Sequence, residues 1–419
     1  MRTLSHNLRP ETRHSRAFLV SAAKHLHRHG TPAHRLEDTL VACAKALGLR
    51  LQVLATPTAI ELAFGGRRAY LIRADAGEAE LGRLVELDAV ISEVASGRLD
   101  PVAGRVALRK VAAAPPIYGG AAVVAAFGLA SAGAARFFGG NLADVLISLG
   151  LGLGLGGLSR FATARAGLGR VLTPLAAFLA ALASLLAARW ITGVHEQVTI
   201  LSALIVLVPG LSLTLAMTEL ATRHLVSGTA RLAGSLTVFM TMAFGVAVAR
   251  AIVEVLPIGG VHAIAPWLTD ALPAWTRLVA LGLAPIGFCV LFQARRADIP
   301  AIAATGILAS ELARFAASVV GSELGAFAGA FAVALAANGY AAWRRLPAAV
   351  ILLPCLLLLV PGALGFQSVT SFMADDALAG IEAAFRMILV AASLVAGVLV
   401  ANTVVLPHVR RPASEHRAA

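Results

Sequence analysis

Hydrophobic and polar positions divide the chain near the Pro115-Pro116 pair. From about residue 15 to 114 they alternate as in a water-exposed fold, whereas from Ile117 to about Pro407 apolar residues run on with only short interruptions. In the first part a helix over about 15–29 stops at Gly30, Thr31 is placed to cap the next helix with Pro32 at its first position, and Leu36, Leu40, Cys43, Ala44 and Leu47 make one apolar stripe. LRLQVLA, IELAF and RAYLIRA, separated by TPT and GG, predict a short antiparallel meander. Helices over about 78–96 and 101–113 follow. The second part predicts ten bilayer-spanning helices, near 117–135, 141–157, 170–188, 197–218, 231–256, 276–294, 299–318, 323–342, 347–369 and 380–405.

Two of the apolar runs contain a helix breaker. ILSALIVLVPGLSLTL, residues 200–215, carries Pro209 and Gly210, and VILLPCLLLLVPGALG, residues 350–365, carries Pro361 and Gly362 in the same LVPG context. Sliding the chain by 152 residues superposes the two, and twelve identities accumulate between 204–249 and 356–401, including Thr218/Thr370, Gly228/Gly380 and Gly245/Gly397. An internal repeat of five helices follows. Five is odd, so the second copy enters the membrane upside down. The loops agree in sense, since TELATRHLVSG carries the basic residues Arg223 and His224 and the aligned SFMADDALAG, with Asp375 and Asp376, is acidic. The expected fold is mainly α: a polytopic membrane protein of two inverted five-helix repeats, with a small α+β N-terminal cytoplasmic domain. The parts are 1–114 (cytoplasmic domain), 115–256 and 257–408 (the repeats) and 409–419 (cytoplasmic tail).

Composition supports a lipid-embedded chain, with 58% hydrophobic and 14% charged residues. The net charge of +12 does not point to nucleic acid, because the arginines fall in the N-terminal hundred residues and between apolar runs. Arg160, Arg165, Arg170, Arg223, Arg295, Arg296, Arg344, Arg345, Arg410, Arg411 and Arg417 mark one side, which the positive-inside rule assigns to the cytoplasm with both termini. The expected location is the bacterial inner membrane. Cys43, Cys289 and Cys355 show neither disulfide nor zinc spacing, and AFLVSAA is too short for a signal peptide.

Two breaks at matching depth in oppositely oriented copies would meet near the midplane, exposing amides at a half-helix start and carbonyls at a half-helix end. A substrate site is therefore expected at Pro209, Gly210, Leu211, Ser212, Thr214, Thr218, Pro361, Gly362, Gln367, Ser368 and Thr370; packing kinks without ligand are the alternative. A carboxylate would take the amides and an ammonium the freed carbonyls. Glu311 and Arg314, three apart on one helix face, form either a structural ion pair or an ion-coupling site, and Asp144 and Arg386 are further coupling candidates. Asn338 and Asn402 are expected to bond between helices, and GLGLGLGGL to pack helices closely rather than bind phosphate. His25, His29 and His34 lie close in sequence without HExxH, and a solvated helix end accounts for them as well as a metal does. No catalytic set or cofactor motif is recognisable, so a non-enzyme is expected. Expected partners are a small-molecule substrate and membrane lipid, with a homo-oligomer open.

RHGTPAHRLEDTLVACAKALGL, the following TPT hairpin, PPIYGG, LVPGLSLTLAMTEL…LVSGTARL and LLLLVPGALGFQS together resemble the threonine/serine exporter family over nearly the whole chain. The resemblance implies a cytoplasmic N-terminal domain fused to ten helices and export of small hydroxylated amino acids driven by the proton motive force. Its motifs fall on Arg35, Glu37, Asp38, Thr56, Pro57, Thr58, Pro209, Gly210, Ser227, Gly228, Arg231, Pro361 and Gly362. Where members often carry polar or acidic residues after the first Pro-Gly, this chain has Ala216, Met217 and His224. Split relatives linked to succinate leave a dicarboxylate exporter as an alternative; a membrane-anchored hydrolase or sensor working through residues 1–114 is another.

Overall fold

In lipid, an uncharged run of alanine, leucine and glycine satisfies its backbone amides by forming an α-helix. The structure, a computed structural model, describes residues 10–65, 68–74, 77–256, 266–359, 361–374 and 376–405. Asp375 and the tail 409–419, with its three arginines, lie outside the described residues.

The N-terminal part comprises α1 (Pro10–Arg28), α2 (Ala33–Ala46), β1 (Leu51–Thr56), β2 (Ala59–Phe64), β3 (Arg68–Arg73), α3 (Leu81–Ala95) and α4 (Pro101–Ala113). The three strands form the expected antiparallel meander in the order β1-β2-β3. Alternation along β2 puts Ile60, Leu62 and Phe64 inside and Glu61 outside, against Phe18, Leu36, Leu40 and Leu87 from the helices. Thr31 does not cap α2. The helix begins one residue later than expected, Pro32 takes the cap position without a side-chain bond, and the Ala33 amide donates instead to Glu219 Oε1 at 3.2 Å.

The apolar part contains α5 (Gly120–Phe137), α6 (Leu142–Thr163), the short α7 (Ala166–Gly169), α8 (Leu172–Trp190), α9 (Glu196–Leu204), α10 (Gly210–Ala221), α11 (Leu225–Val255), α12 (Trp275–Leu291), α13 (Ile299–Val320), α14 (Ser322–Arg344), α15 (Ala349–Leu359), α16 (Gly362–Met373) and α17 (Ala377–Val404). Among the described residues, eight segments are long and apolar enough to cross a membrane: α5, α6, α8, α11, 296–320 with α13, α14, 349–373 with α15 and α16, and α17. The chain is a mainly helical, polytopic membrane protein. The 17-residue α12 and the 12-residue α10 are shorter apolar helices. The run expected as one helix over 197–218 is split into α9 and α10 by the break at Pro209, which starts α10 as its N-cap. Pro361 does the same for α16.

Packing recurs at the 152-residue spacing. A Cβ on Gly245 of α11 would lie 2.4 Å from Pro174 O and 3.2 Å from Ala177 Cβ on α8; one on Gly397 of α17 would lie 2.5 Å from Phe327 O and 3.1 Å from Ala330 Cβ on α14. Gly228 abuts Leu220, and Gly380 abuts Phe372, each eight residues back. Across the middle of the molecule the pairing is reciprocal: α11 packs on α16, and α17 packs on α10. Gly152 and Gly156 press α6 onto Phe127 and Ser131 of α5, and Asn338 Nδ2 donates to Asn402 Oδ1 at 2.9 Å, both as the sequence suggested.

The two ends of the bundle differ. At one, the N-terminal part is joined to it by Leu81 N–H to Phe292 O (2.8 Å), Gly82 N–H to Gln293 O (3.0 Å) and the Ala33–Glu219 bond. The C-terminal ends of α10 and α12 lie here. At the far end Arg136 reaches Thr276 Oγ1 (2.7 Å), and Asn141 Nδ2 donates to Gly193 O (2.7 Å).

Candidate functional site

The two Pro-Gly breaks meet. A Cβ on Gly362 would stand 3.1 Å from Gly210 Cα, 3.5 Å from Gly210 N and 2.7 Å from Val208 Cγ1, so a larger residue there would have to displace Val208 or the Gly210 backbone. From this junction α10 runs toward the N-terminal part, where its end carries Glu219. In contrast α16 runs to the far end, where its last turns face the start of α9 and the end of α11. Each new helix presents first-turn amides: Leu211 and Ser212 on α10, Ala363 and Leu364 on α16. The Gly210 amide itself donates to Val208 O at 2.8 Å.

A cavity of about 310 Å3 lies between α9, α11 and α16 at the far end, within the size range of small-molecule sites, about 300–1,000 Å3. Phe138, Val198, Ile200, Leu201, Val246 and Phe366 form apolar walls, and Gln197, Arg250, Gln367, Thr370 and Ser371 are polar. Phe366 is one turn from Gly362, roughly 6 Å along the axis of α16. Of the residues selected from sequence, Gln367 and Thr370 therefore line the cavity. Ser368 is buried, its hydroxyl donating to Gly380 O at 2.8 Å. Thr214 and Thr218 sit on α10 outside the cavity lining and give their hydroxyl protons to carbonyls one turn back, Gly210 O (3.3 Å) and Thr214 O (2.9 Å).

The remaining candidates are dispersed. Asp144 is fully buried at the start of α6, where it and Asn141 cap each other's amides; its carboxylate also accepts from His195 N (2.8 Å) and meets His195 Nδ1 at 2.7 Å. Glu311 pairs with Arg314 at 2.5 Å and with Arg277 of α12 at 3.8 Å, away from the cavity. Arg386 pairs with Glu382 at 2.9 Å on an exposed face of α17. His25, His29 and His34 diverge: His29 Nδ1 meets Glu80 Oε1 at 3.3 Å, whereas His34 turns toward the His224 ring, 6.1 Å between centroids. Among the described residues no group of three or more His, Cys, Asp or Glu is placed to hold a metal ion.

Sequence reasoning missed Glu219. It is fully buried at the end of α10, bonded by Arg231 from Nε and Nη2 (both 3.2 Å), by Ser227 Oγ (2.8 Å) and by the Ala33 amide. Beside it His224 Nε2 meets Glu37 Oε2 at 3.3 Å, and Glu37 Oε1 accepts from Ala55 N at 2.8 Å. Burial, reinforced by the neighbouring Arg35 charge, pushes the His34 imidazole down to about 4. Family-motif residues Glu37, Ser227 and Arg231, scattered in sequence, thus converge where the N-terminal part meets the bundle. Two intramembrane charges twelve apart, Glu219 and Arg231, were the available signal.

Two family models match, one described as putative threonine/serine exporter over residues 17–253 and one as threonine/serine exporter over residues 277–404. Similar proteins include pheromone-regulated membrane protein 10 of Eremothecium gossypii, 23% identical over 84% of this chain and 48% of that protein. The proteins of that name in Zygosaccharomyces rouxii (23%, 84% and 37%) and Kluyveromyces lactis (21%, 88% and 39%) are also similar. The chain spans less than half the length of these curated relatives. No solved structure matches. With the first model covering more than half of it and the second most of the rest, the chain belongs to the threonine/serine exporter family.

Proposed function

We propose that this protein exports small hydroxylated amino acids, threonine or serine, across the bacterial inner membrane by alternating access, drawing on the proton motive force. It acts as a transporter and not as an enzyme. Residues 115–256 and 257–408 form two inverted five-helix repeats, α9–α10 and α15–α16 counting as one broken span each and α12 as a short one; residues 1–114 form a cytoplasmic domain and 409–419 a tail on the same side.

The observation that carries the proposal is the seating of Gly362 on Gly210, with α10 and α16 leaving the junction in opposite directions. Recurrent glycine contacts and the reciprocal α11–α16 and α17–α10 packing support a two-fold relation between the halves. The two family models also fall on the two halves. Arginines support the orientation. Arg160 lies beside Gly120, and Arg223 and Arg295 lie at the end carrying the N-terminal part. Substrate rests between the first-turn amides at the junction and the polar wall of Gln367 and Thr370.

Proteoliposomes containing the full chain and loaded with labelled threonine, serine or succinate test this. Efflux of threonine and serine, faster with a proton gradient, is expected. Succinate efflux alone would replace the substrate class with dicarboxylates, and hydrolysis without efflux of any of the three would overturn the transport function.

A further inference from the structure

Among the described residues lining the far-end cavity, the charged one is Arg250, and its Nη2 stands 2.9 Å from Glu196 Oε1. The same pair walls a second cavity of about 200 Å3, where Arg189 and Glu254 join it. Three helix ends therefore contribute two cations and two anions: Arg189 from α8, Glu196 from α9, and Arg250 and Glu254 from α11. The set carries no net charge and offers both signs side by side. A zwitterion matches that arrangement, whereas a dicarboxylate would bring two negative charges to two carboxylates.

We propose, on the strength of the exporter function above, that Arg250 and Glu196 are the recognition pair for the charged head of an amino acid at the far-end mouth. Arg250 takes the carboxylate through its planar fork, Glu196 takes the ammonium, and Gln367 and Thr370 contact the polar side chain. Without substrate the two side chains neutralise each other, so neither charge is left unpaired beside the apolar wall. With substrate, one protein–protein ion pair is exchanged for two charge-assisted contacts. The pair belongs to one half only, because the positions 152 residues further on are Ala348 and Asn402, the latter bonded to Asn338. The mouth at the other end has a different pair, Glu219 with Arg231, and both arginines stand on α11, about 28 Å apart along its axis.

The test is exchange of labelled threonine and of succinate by the full chain in proteoliposomes, for wild type, Arg250→Gln, Glu196→Gln and the swap Arg250→Glu/Glu196→Arg, with size-exclusion profiles to confirm folding. Arg250→Gln should lower threonine exchange roughly ten- to a hundredfold, the range for losing a charged hydrogen bond. Glu196→Gln should lower threonine exchange similarly while raising succinate exchange. A bridge that only holds α9 to α11 would be restored by the swap; a recognition pair would not be. Should either single variant misfold, Arg250→Lys, which keeps the charge but loses the fork, should still raise the threonine KM. Threonine exchange within about twofold of wild type in the folded variants, or full recovery in the swap, overturns the pair as a recognition site and leaves the exporter function standing. A wild-type chain that exchanges no amino acid overturns both.

Discussion

The far-end mouth and the position related to it by 152 residues are built from corresponding helices but differ in packing. At the far end α16 stands off α9 and α11, leaving about 310 Å3 lined by Gln367, Thr370 and Ser371. Their counterparts on α10 are Leu215, Thr218 and Glu219, and the facing helices are α15 and α17. There Thr214, Glu219, Val350, Leu353 and Val398 are all buried. The N-terminal part meets the bundle at this end, and the Ala33 amide bonds directly to Glu219. The far end thus holds a cavity of small-molecule size, whereas the related end carries a buried ion pair bonded to the N-terminal part, an asymmetry of the kind the proposed alternating access would use. Among the described residues the N-terminal part bonds to the bundle at the end that carries Glu219, so in the proposed cycle opening that end would break the Glu219 cluster.

Three changes bear on that contrast. The largest effect is expected from Arg231→Met. It strands the Glu219 carboxylate at zero exposure with only a hydroxyl and an amide, at about 3–5 kcal/mol. The variant should unfold at markedly lower temperature in detergent, and Arg231→Met/Glu219→Leu should recover much of the loss. Gly362→Ala comes next: its methyl would meet the Gly210 backbone at 3.1 Å, forcing the halves apart for about 1–3 kcal/mol. Threonine efflux should fall sharply while membrane insertion persists; unchanged efflux would remove the junction from the mechanism.

The smallest effect is on pH. His34 is held below its ordinary 6.5, at about 4, so the unfolded chain binds a proton that the folded chain refuses. Its contribution is unaffected above pH 6.5, and stability is lost as pH falls from 6.5 toward 4, about 1.4 kcal/mol at pH 5.5. His34→Gln should flatten thermal stability between pH 7 and 5.5 by that amount.

Much of this was legible in the sequence. The strands at 51–56, 59–64 and 68–73 and both LVPG breaks are local signals of period, length and backbone chemistry that recur in the structure, and where ten spans were expected eight segments among the described residues are long and apolar enough to cross a membrane. The meeting of the two breaks was expected from the 152-residue spacing, and Gly362 does approach Gly210 closely. What sequence could not supply was tertiary choice. Asp144 resembled a lone intramembrane acid, yet its partners are Asn141 three residues before it and His195 fifty-one after it. Thr31 carried a capping signal, but a carboxylate from α10 met the α2 amide first. Arg250 passed unremarked because an arginine near a helix end normally snorkels to the interface, and only the fold turns it into a cavity wall.

The central claim is that the two mouths open in alternation around the Gly210–Gly362 junction. Thr218→Cys and Thr370→Cys, identical residues in the two halves, measure it through labelling by a membrane-impermeant thiol reagent, with little background because Cys43, Cys289 and Cys355 are buried. The account predicts that Thr370→Cys labels from the outer face and Thr218→Cys from the cytoplasmic face, with rates that move in opposite directions when a threonine gradient is imposed. Labelling of both from one face, or rates that rise and fall together, would contradict it.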